Sequence, residues 1–291
     1  MGKQLVLFTT LLLFASGGWS ETNIQTVSEN IYVFSEIDNQ GLIVSGSNGT
    51  VVIDPISEHT AKSIQEFLSV NDKNAVSHVV YTHSHWDRIS GGEVFQKNGV
   101  KFISQETCRL FFEGNKNEAV IQPNLYFKHS YKIALGNSNI GLHYFGPSHG
   151  ECMIVVHIEP ENIFFVADLL STNGPSFPND PTLPYLRPAT LMRFFSGIER
   201  MANQDNVNSF IGGQVEKNTF GSIEYIAKQR EFWELVQATA EEAEEKGNVN
   251  INNFIDMEKI DLEAFKQFNN YNEEDLSNIF RRYTSFLNMG R

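Results

Sequence analysis

The stretch Thr82-His83-Ser84-His85-Trp86-Asp87-Arg88 places two imidazoles and a carboxylate at alternate positions. It follows an apolar run, His78-Val79-Val80-Tyr81, that reads as a buried strand ending where these residues begin. Imidazole and carboxylate together suit zinc or a similar divalent ion, and a turn after a strand can aim all three at one point. Two further ligand-type residues repeat the arrangement. His149 lies in the turn Gly146-Pro147-Ser148-His149-Gly150, and Asp168 ends the apolar run Ile163-Phe164-Phe165-Val166-Ala167. Each alone reads as a hydrogen-bonded structural residue. Taken with the His83 cluster, they place candidate ligands at strand ends along one edge of a sandwich.

The elements that must position them are legible from periodicity. Ile31–Phe34, Leu42–Val44 and Val51–Ile53 read as an opening antiparallel meander with a turn at Ser47-Asn48-Gly49. Ser57 caps a helix carrying Ala61, Ile64 and Leu68 on one face. After the histidine turn the pattern predicts a helical stretch beyond Gly92 and short strands at Lys101–Ile103, Leu125–Phe127 and Tyr131–Ala134. A strand through Ile140, Leu142 and Tyr144 and a hairpin of Met153–Ile158 with Ile163–Val166 follow. Leu191, Phe194, Phe195, Ile198 and Met201 mark one helix face, Ser209–Ile211 a strand, and Ser222 to Lys246 a long helix stopped by Gly247. Two rounds of strands followed by helices predict an α/β sandwich, sheets inside and helices outside. Between strand and helix of the second round, Pro175, Pro178, Pro181, Pro184 and Pro188 stiffen a loop. That loop is either a substrate wall or a plain surface crossover. Trp86 either walls the pocket or packs beneath it.

The chain start sets the expected compartment. Lys3, the apolar run Leu5 to Phe14 and small residues through Ser20 form a signal-peptide pattern, too short for a spanning helix. Residues 1–20 are therefore expected to be a signal peptide, with no integral membrane segment after its removal and a periplasmic or secreted mature protein. The 22 Lys+Arg against 35 Asp+Glu give a formal net charge of −13, which repels nucleic acid and anionic lipid. A small-molecule substrate is the expected partner; nothing in the chain fixes oligomeric state. Cys108 and Cys152 can pair in an oxidising compartment or remain buried thiols, and Cys152, three residues past His149, can also be read as a metal ligand.

The His83-Ser84-His85-Trp86-Asp87 motif, followed by His149 and Asp168 in their turns, resembles the metallo-β-lactamase superfamily from Ile31 to about Phe232. Val51-Val52-Ile53-Asp54-Pro55 resembles that family's strand before its first helix. The resemblance implies a four-layer αβ/βα sandwich over residues 21–247, with a C-terminal helical tail over 248–291. It implies that His83, His85 and His149 form a three-histidine zinc site, with Asp87 and Asp168 belonging to a second site. Three histidines and a water make the open tetrahedral arrangement of catalytic zinc. A fainter likeness in the tail, from Ala238–Gly247 through Phe265, Phe268 and Ile279 to Phe286, is to periplasmic members associated with quinoprotein and sulfur-oxidation systems.

Two departures qualify what the likeness implies. Arg88 stands where glyoxalase-like members carry histidine, and Gly213 in Phe210-Ile211-Gly212-Gly213-Gln214 stands where a final histidine is expected. Gln214 is a poor zinc ligand, and Glu216 would need a shifted turn. The resemblance therefore predicts one tightly bound Zn²⁺, a second weak or absent, and a secreted zinc hydrolase acting on a lactam, lactone, thioester or other ester. Asp87 would orient the water and accept its proton, and Arg88 would support Asp87 or offset negative charge. The alternative is a catalytically weak metal-binding accessory protein of a periplasmic system that kept the fold and lost the second site.

Overall fold

The computed structural model describes residues 22–115, 117–181 and 186–290; the expected signal peptide, Lys116 and part of the proline-rich segment, Pro184 included, lie outside the described residues. The first sheet follows chain order: β1 (Asn23–Thr26), β2 (Ile31–Glu36), β3 (Asn39–Gly46), β4 (Gly49–Ile53), β5 (Val76–Val80), β6 (Lys101–Gln105) and β7 (Leu125–Phe127). Its first four strands pair antiparallel through hairpins. From β4 onward the pairing is parallel, because helix α1 (Glu58–Val70) carries the chain back along the sheet before β5. Ser57 caps α1 by accepting from the Thr60 amide, and Ala61, Ile64 and Leu68 are buried, as the spacing predicts.

The second sheet is ordered in reverse, from β13 (Gly221–Ser222) through β12 (Ser209–Gly212), β11 (Ile163–Val166), β10 (Val155–Glu159) and β9 (Asn139–His143) to β8 (Ser130–Ala134). Only β11 and β12 are parallel, joined by the crossover helix α4 (Pro188–Asp205), an element whose relative placement no local pattern announces. The predicted helical stretch after Gly92 is a single 3-10 turn, Gly92–Phe95. The short helices α2 (Trp86–Ile89) and α3 (Arg109–Glu113) complete the first half.

Period-two alternation explains the layering. Leu42, Val44, Val51 and Ile53 face the second sheet's Leu142, Val156 and Phe165 in one cluster, while Tyr32, Phe34, Ile43 and Val52 pack against α1 in another. Helices α4, α5 (Glu224–Glu245) and α6 (Glu273–Met289) cover the other sheet, giving the αβ/βα sandwich. The C-terminal residues join that core directly: Phe265 and Phe268 set their rings edge-on to Phe232 of α5, and Phe280 of α6 packs on Phe265. The strand ends carrying the histidine turn, the His149 turn and Asp168 emerge at one edge of this sandwich.

Candidate metal centre

The chain leaves β5 fully buried, so the first polar residues after it must find partners inside. Asp54, buried at the end of β4, accepts from the Thr82 amide at 2.8 Å and from the Thr82 hydroxyl at 2.6 Å. That hydroxyl lies 2.9 Å from His83 Nδ1. Because the threonine proton is committed to Asp54, the oxygen accepts from His83 Nδ1–H, and this leaves a lone pair on His83 Nε2. Burial pushes the Asp54 carboxyl up to about 7, against the lowering effect of its Thr82 bonds. The Thr82 carbonyl accepts from the Ile154 amide at 2.9 Å, tying the histidine turn to the strand that leaves the His149 turn.

His83, His85 and His149 converge. One ligand nitrogen from each lies within 4.8 Å of the others, and this is the metal-capable group found among the described residues. His149 Nε2 and His85 Nδ1 stand 3.2 Å apart. Two nitrogens on one tetrahedral zinc, at bond lengths of about 2.0–2.1 Å, are separated by about 3.3 Å. His83 Nε2 is buried without a hydrogen-bond partner among the described residues, yet it stands 3.2 Å from Asp168 Oδ2. Burial holds His83 far below the usual imidazole range and brings His149 down to about 4, so both are neutral and their lone pairs are available. A neutral buried nitrogen facing a carboxylate oxygen suits a cation between the ligands. The donor set fits zinc.

The His149 turn is held from several sides. Cys152 is bonded to Cys108, so a metal role for Cys152 is excluded: its sulfur is committed to the disulfide. The Glu151 carbonyl accepts from the Tyr144 hydroxyl at 2.5 Å and from the Thr107 hydroxyl at 3.1 Å. The proline-rich segment approaches this turn as well, since the Asp180 charge acts on His149, while Pro178 and Asn179 line a small cavity with Asp168 and Gln214. Trp86 is 52 % exposed beside His85 and lines an open groove rather than packing beneath the site.

The expected second site looks different. Asp168 follows β11 in the left-handed region, with φ of 58°, which turns its carboxylate back toward the histidines. Both its oxygens are engaged. Arg88, 0 % exposed, donates from Nε to Oδ2 at 3.1 Å and pairs through Nη2 with Oδ1, and Gln214 Nε2 donates to Oδ1 at 2.9 Å. Burial works to raise the Asp168 carboxyl, but the Arg88 guanidinium and the Gln214 hydrogen bond hold it below the usual carboxylate range. With His83 and His149 neutral, the standing cation beside it is Arg88. Its Nη1 donates to the Gly213 carbonyl.

Gly213 is shaped by that guanidinium. A Cβ there would meet Ala167 Cα at 2.9 Å, Ala167 Cβ at 3.0 Å and Arg88 Nη1 at 3.2 Å. Gln40, a residue that sequence reasoning passed over, anchors the same turn: its amide donates to the Gly213 carbonyl at 2.9 Å and its side chain to the Gly212 carbonyl at 2.8 Å. Glu216 turns away and accepts from the Thr172 hydroxyl at 2.6 Å. Asp87 lies exposed at the start of α2, lines the groove beside His85, and accepts from Asn39 Nδ2 at 3.4 Å. Gln40 and Asp54 bear on the centre through backbone and threonine contacts, for which the sequence carries no periodic signal.

Comparison with known proteins bears on family and fold. A family described as the Metallo-beta-lactamase superfamily matches residues 37–196. Metallo-beta-lactamase type 2 of Bacillus cereus is 27 % identical over 143 residues, covering 46 % of this chain and 55 % of that protein. The enzyme of the same name from Bacillus sp. (strain 170) is 26 % identical over 143 residues, covering 46 % and 54 %. The match thus spans about half the length of these curated relatives. Among solved structures, a metallo-beta-lactamase from Pontibacter korlensis superposes with a TM-score of 0.61 at 17 % identity, covering 74 % of this chain and 99 % of that one. The metallo-beta-lactamase DIM-1 superposes with a TM-score of 0.62 at 17 % identity, covering 75 % and 99 %.

Proposed function

Because the chain belongs to the metallo-β-lactamase superfamily, whose members are metallo-hydrolases, we propose that it is an exported zinc-dependent hydrolase working with one tightly held metal ion. The observation that carries this reading is the convergence of His83, His85 and His149 around a buried, unpartnered His83 Nε2. When bound there, zinc supplies Lewis acidity, polarising a carbonyl oxygen and acidifying water toward neutral pH. The chain's own residues supply the rest. Asp54, through Thr82, holds His83 in the tautomer that offers Nε2. The Asp87 carboxylate, steadied by Asn39, accepts a proton from the attacking water. Asp168 fixes the ligand geometry from below, and Arg88 acts as a positioning residue that balances its charge.

Hydrolysis of an ester, lactone, thioester or lactam then adds the water oxygen to the acyl carbon. The bond to the leaving oxygen, sulfur or nitrogen breaks, and the proton held at Asp87 passes to that leaving atom. A second reading, an accessory protein that binds metal with little turnover, draws on one observation: Arg88 and Gly213 close the place where a second metal would sit.

The purified chain is expected to hold close to one zinc by elemental analysis, and His85→Ala to lose it. Asp87→Asn is expected to keep the zinc while turnover falls by about 10²–10⁴-fold. Two equally tight ions would overturn the one-metal reading. Absence of any ester, thioester, lactone or lactam hydrolysis above the His85→Ala background would leave the accessory reading standing.

A further inference from the structure

Beside His85 an open groove of about 520 Å³ runs between two elements of the first half. One wall is Trp86 at the start of α2; the other is Phe111 of α3. Both rings are open to solvent, Trp86 by 52 % and Phe111 by 42 %. Exposed apolar surface rimmed by polar residues is the pattern of a ligand-binding groove, and here the two rings share one groove beside His85. The Cys108–Cys152 disulfide ties α3, which carries Phe111 three residues after Cys108, to Gly150 and Glu151, which line the same groove directly before Cys152.

The polar part of the lining has one sign. Asp87 and Glu151 contribute carboxylates, and Asp180 adds a further negative charge felt at His149. Among the described residues lining the groove there is no lysine or arginine. The guanidinium nearby in sequence, Arg88, is fully buried and occupied by Asp168 and the Gly213 carbonyl. A substrate anion lying along the groove between the two rings would therefore meet the Asp87 and Glu151 carboxylates and no lysine or arginine among the described lining residues, in a protein of formal net charge −13.

We infer that this groove selects neutral or cationic acyl substrates bearing an aromatic or bulky apolar group, held between Trp86 and Phe111, and discriminates against carboxylate-bearing substrates, ordinary β-lactams included. The inference rests on the hydrolase reading for its catalytic half, and its binding half stands independently. Aromatic stacking against two rings supplies attraction, and the acidic rim supplies the discrimination.

The test pairs turnover with binding on the zinc-loaded full chain. Phenyl acetate is expected to show kcat/KM about ten-fold or more above 4-carboxyphenyl acetate and above a carboxylate-bearing β-lactam. The gap should narrow as salt screens the rim. Trp86→Ala and Phe111→Ala are each expected to raise KM for phenyl acetate several-fold with a much smaller change in kcat, and Trp86→Phe to restore it. Glu151→Lys is expected to lift the anionic ester relative to the neutral one. Independently of turnover, neutral 2-naphthamide is expected to bind at least about five-fold more tightly than 2-naphthalenesulfonate by ligand fluorescence anisotropy, and Phe111→Ala to weaken it. Equal or better handling of the anions, or a KM untouched by both aromatic truncations, overturns the inference. If no ester is turned over but the neutral naphthyl probe binds with the stated preference, the hydrolase reading fails and the groove assignment holds.

Discussion

His149 shows how one residue's surroundings become a measurable property. Burial first, with the charges of His85 and Arg88, brings its pKa down to about 4 from an ordinary value near 6.5, against the opposing pull of Asp168 and Asp180. A lowered imidazole pKa means that the folded state binds the proton less readily than the unfolded state. The stability this contributes is therefore present in full above about 6.5 and is lost as pH falls from there to about 4. Asp54, raised to about 7 by burial against its Thr82 bonds, works in the opposite direction over an overlapping window. Metal-free protein followed by denaturant unfolding should show an acid limb between pH 6.5 and 4, and His149→Gln should flatten it. An unchanged limb would place its origin in other groups, His83 foremost.

At the scale of elements, the decisive contact is between α2 and the loop after β12. Arg88 reaches from α2 across to Asp168 and the Gly213 carbonyl, and the glycine allows that approach. Restoring a histidine by Gly213→His alone should therefore fail to create a second metal site, and it should destabilise the fold, since its Cβ collides with Ala167 and the guanidinium. The pair Arg88→Ala with Gly213→His removes one obstacle and frees Asp168. Calorimetric titration should detect a second, weaker zinc in the double variant and none in the single. Single Arg88→Ala leaves Asp168 buried without its cation, a change that costs about 3–5 kcal/mol in comparable pairs. Tight binding of two ions by Gly213→His alone would show that the loop moves freely.

Across the whole molecule, the last segment is part of the core rather than an appendage. Phe265, Phe268, Leu276, Ile279, Phe280 and Tyr283 are all buried and belong to the same cluster as α4 and α5. Fully burying a large apolar side chain is worth about 1.5–3 kcal/mol, so several of them together rival the stability of an entire domain. Removing residues 248–291 should expose the Phe232 face, lower the thermal midpoint sharply and drive association visible by light scattering. A truncated chain with unchanged midpoint and zinc content would mark the tail as dispensable.

What was readable in advance was whatever has a short period or a short motif. Alternation over β2 to β4, the Ser57 cap and the His83–Asp87 motif depend on neighbouring residues, so the strands, α1 and that motif are legible in order alone. The candidate ligand roles of His149, Asp87 and Asp168 come with the family resemblance, and the fold brings His83, His85 and His149 together. The direction of Arg88 is not legible in order alone. Its guanidinium addresses Asp168 eighty residues away and the Gly213 carbonyl still further on, and only the packing of the two sheets decides that Asp168, rather than the adjacent Asp87, is its partner. The Asp54–Thr82–His83 relay, the Gln40 anchor and the Cys108–Cys152 bond are likewise long-range. Composition permits such pairs, but tertiary structure selects them, because a buried charge or donor must take the partner the folded chain brings within reach.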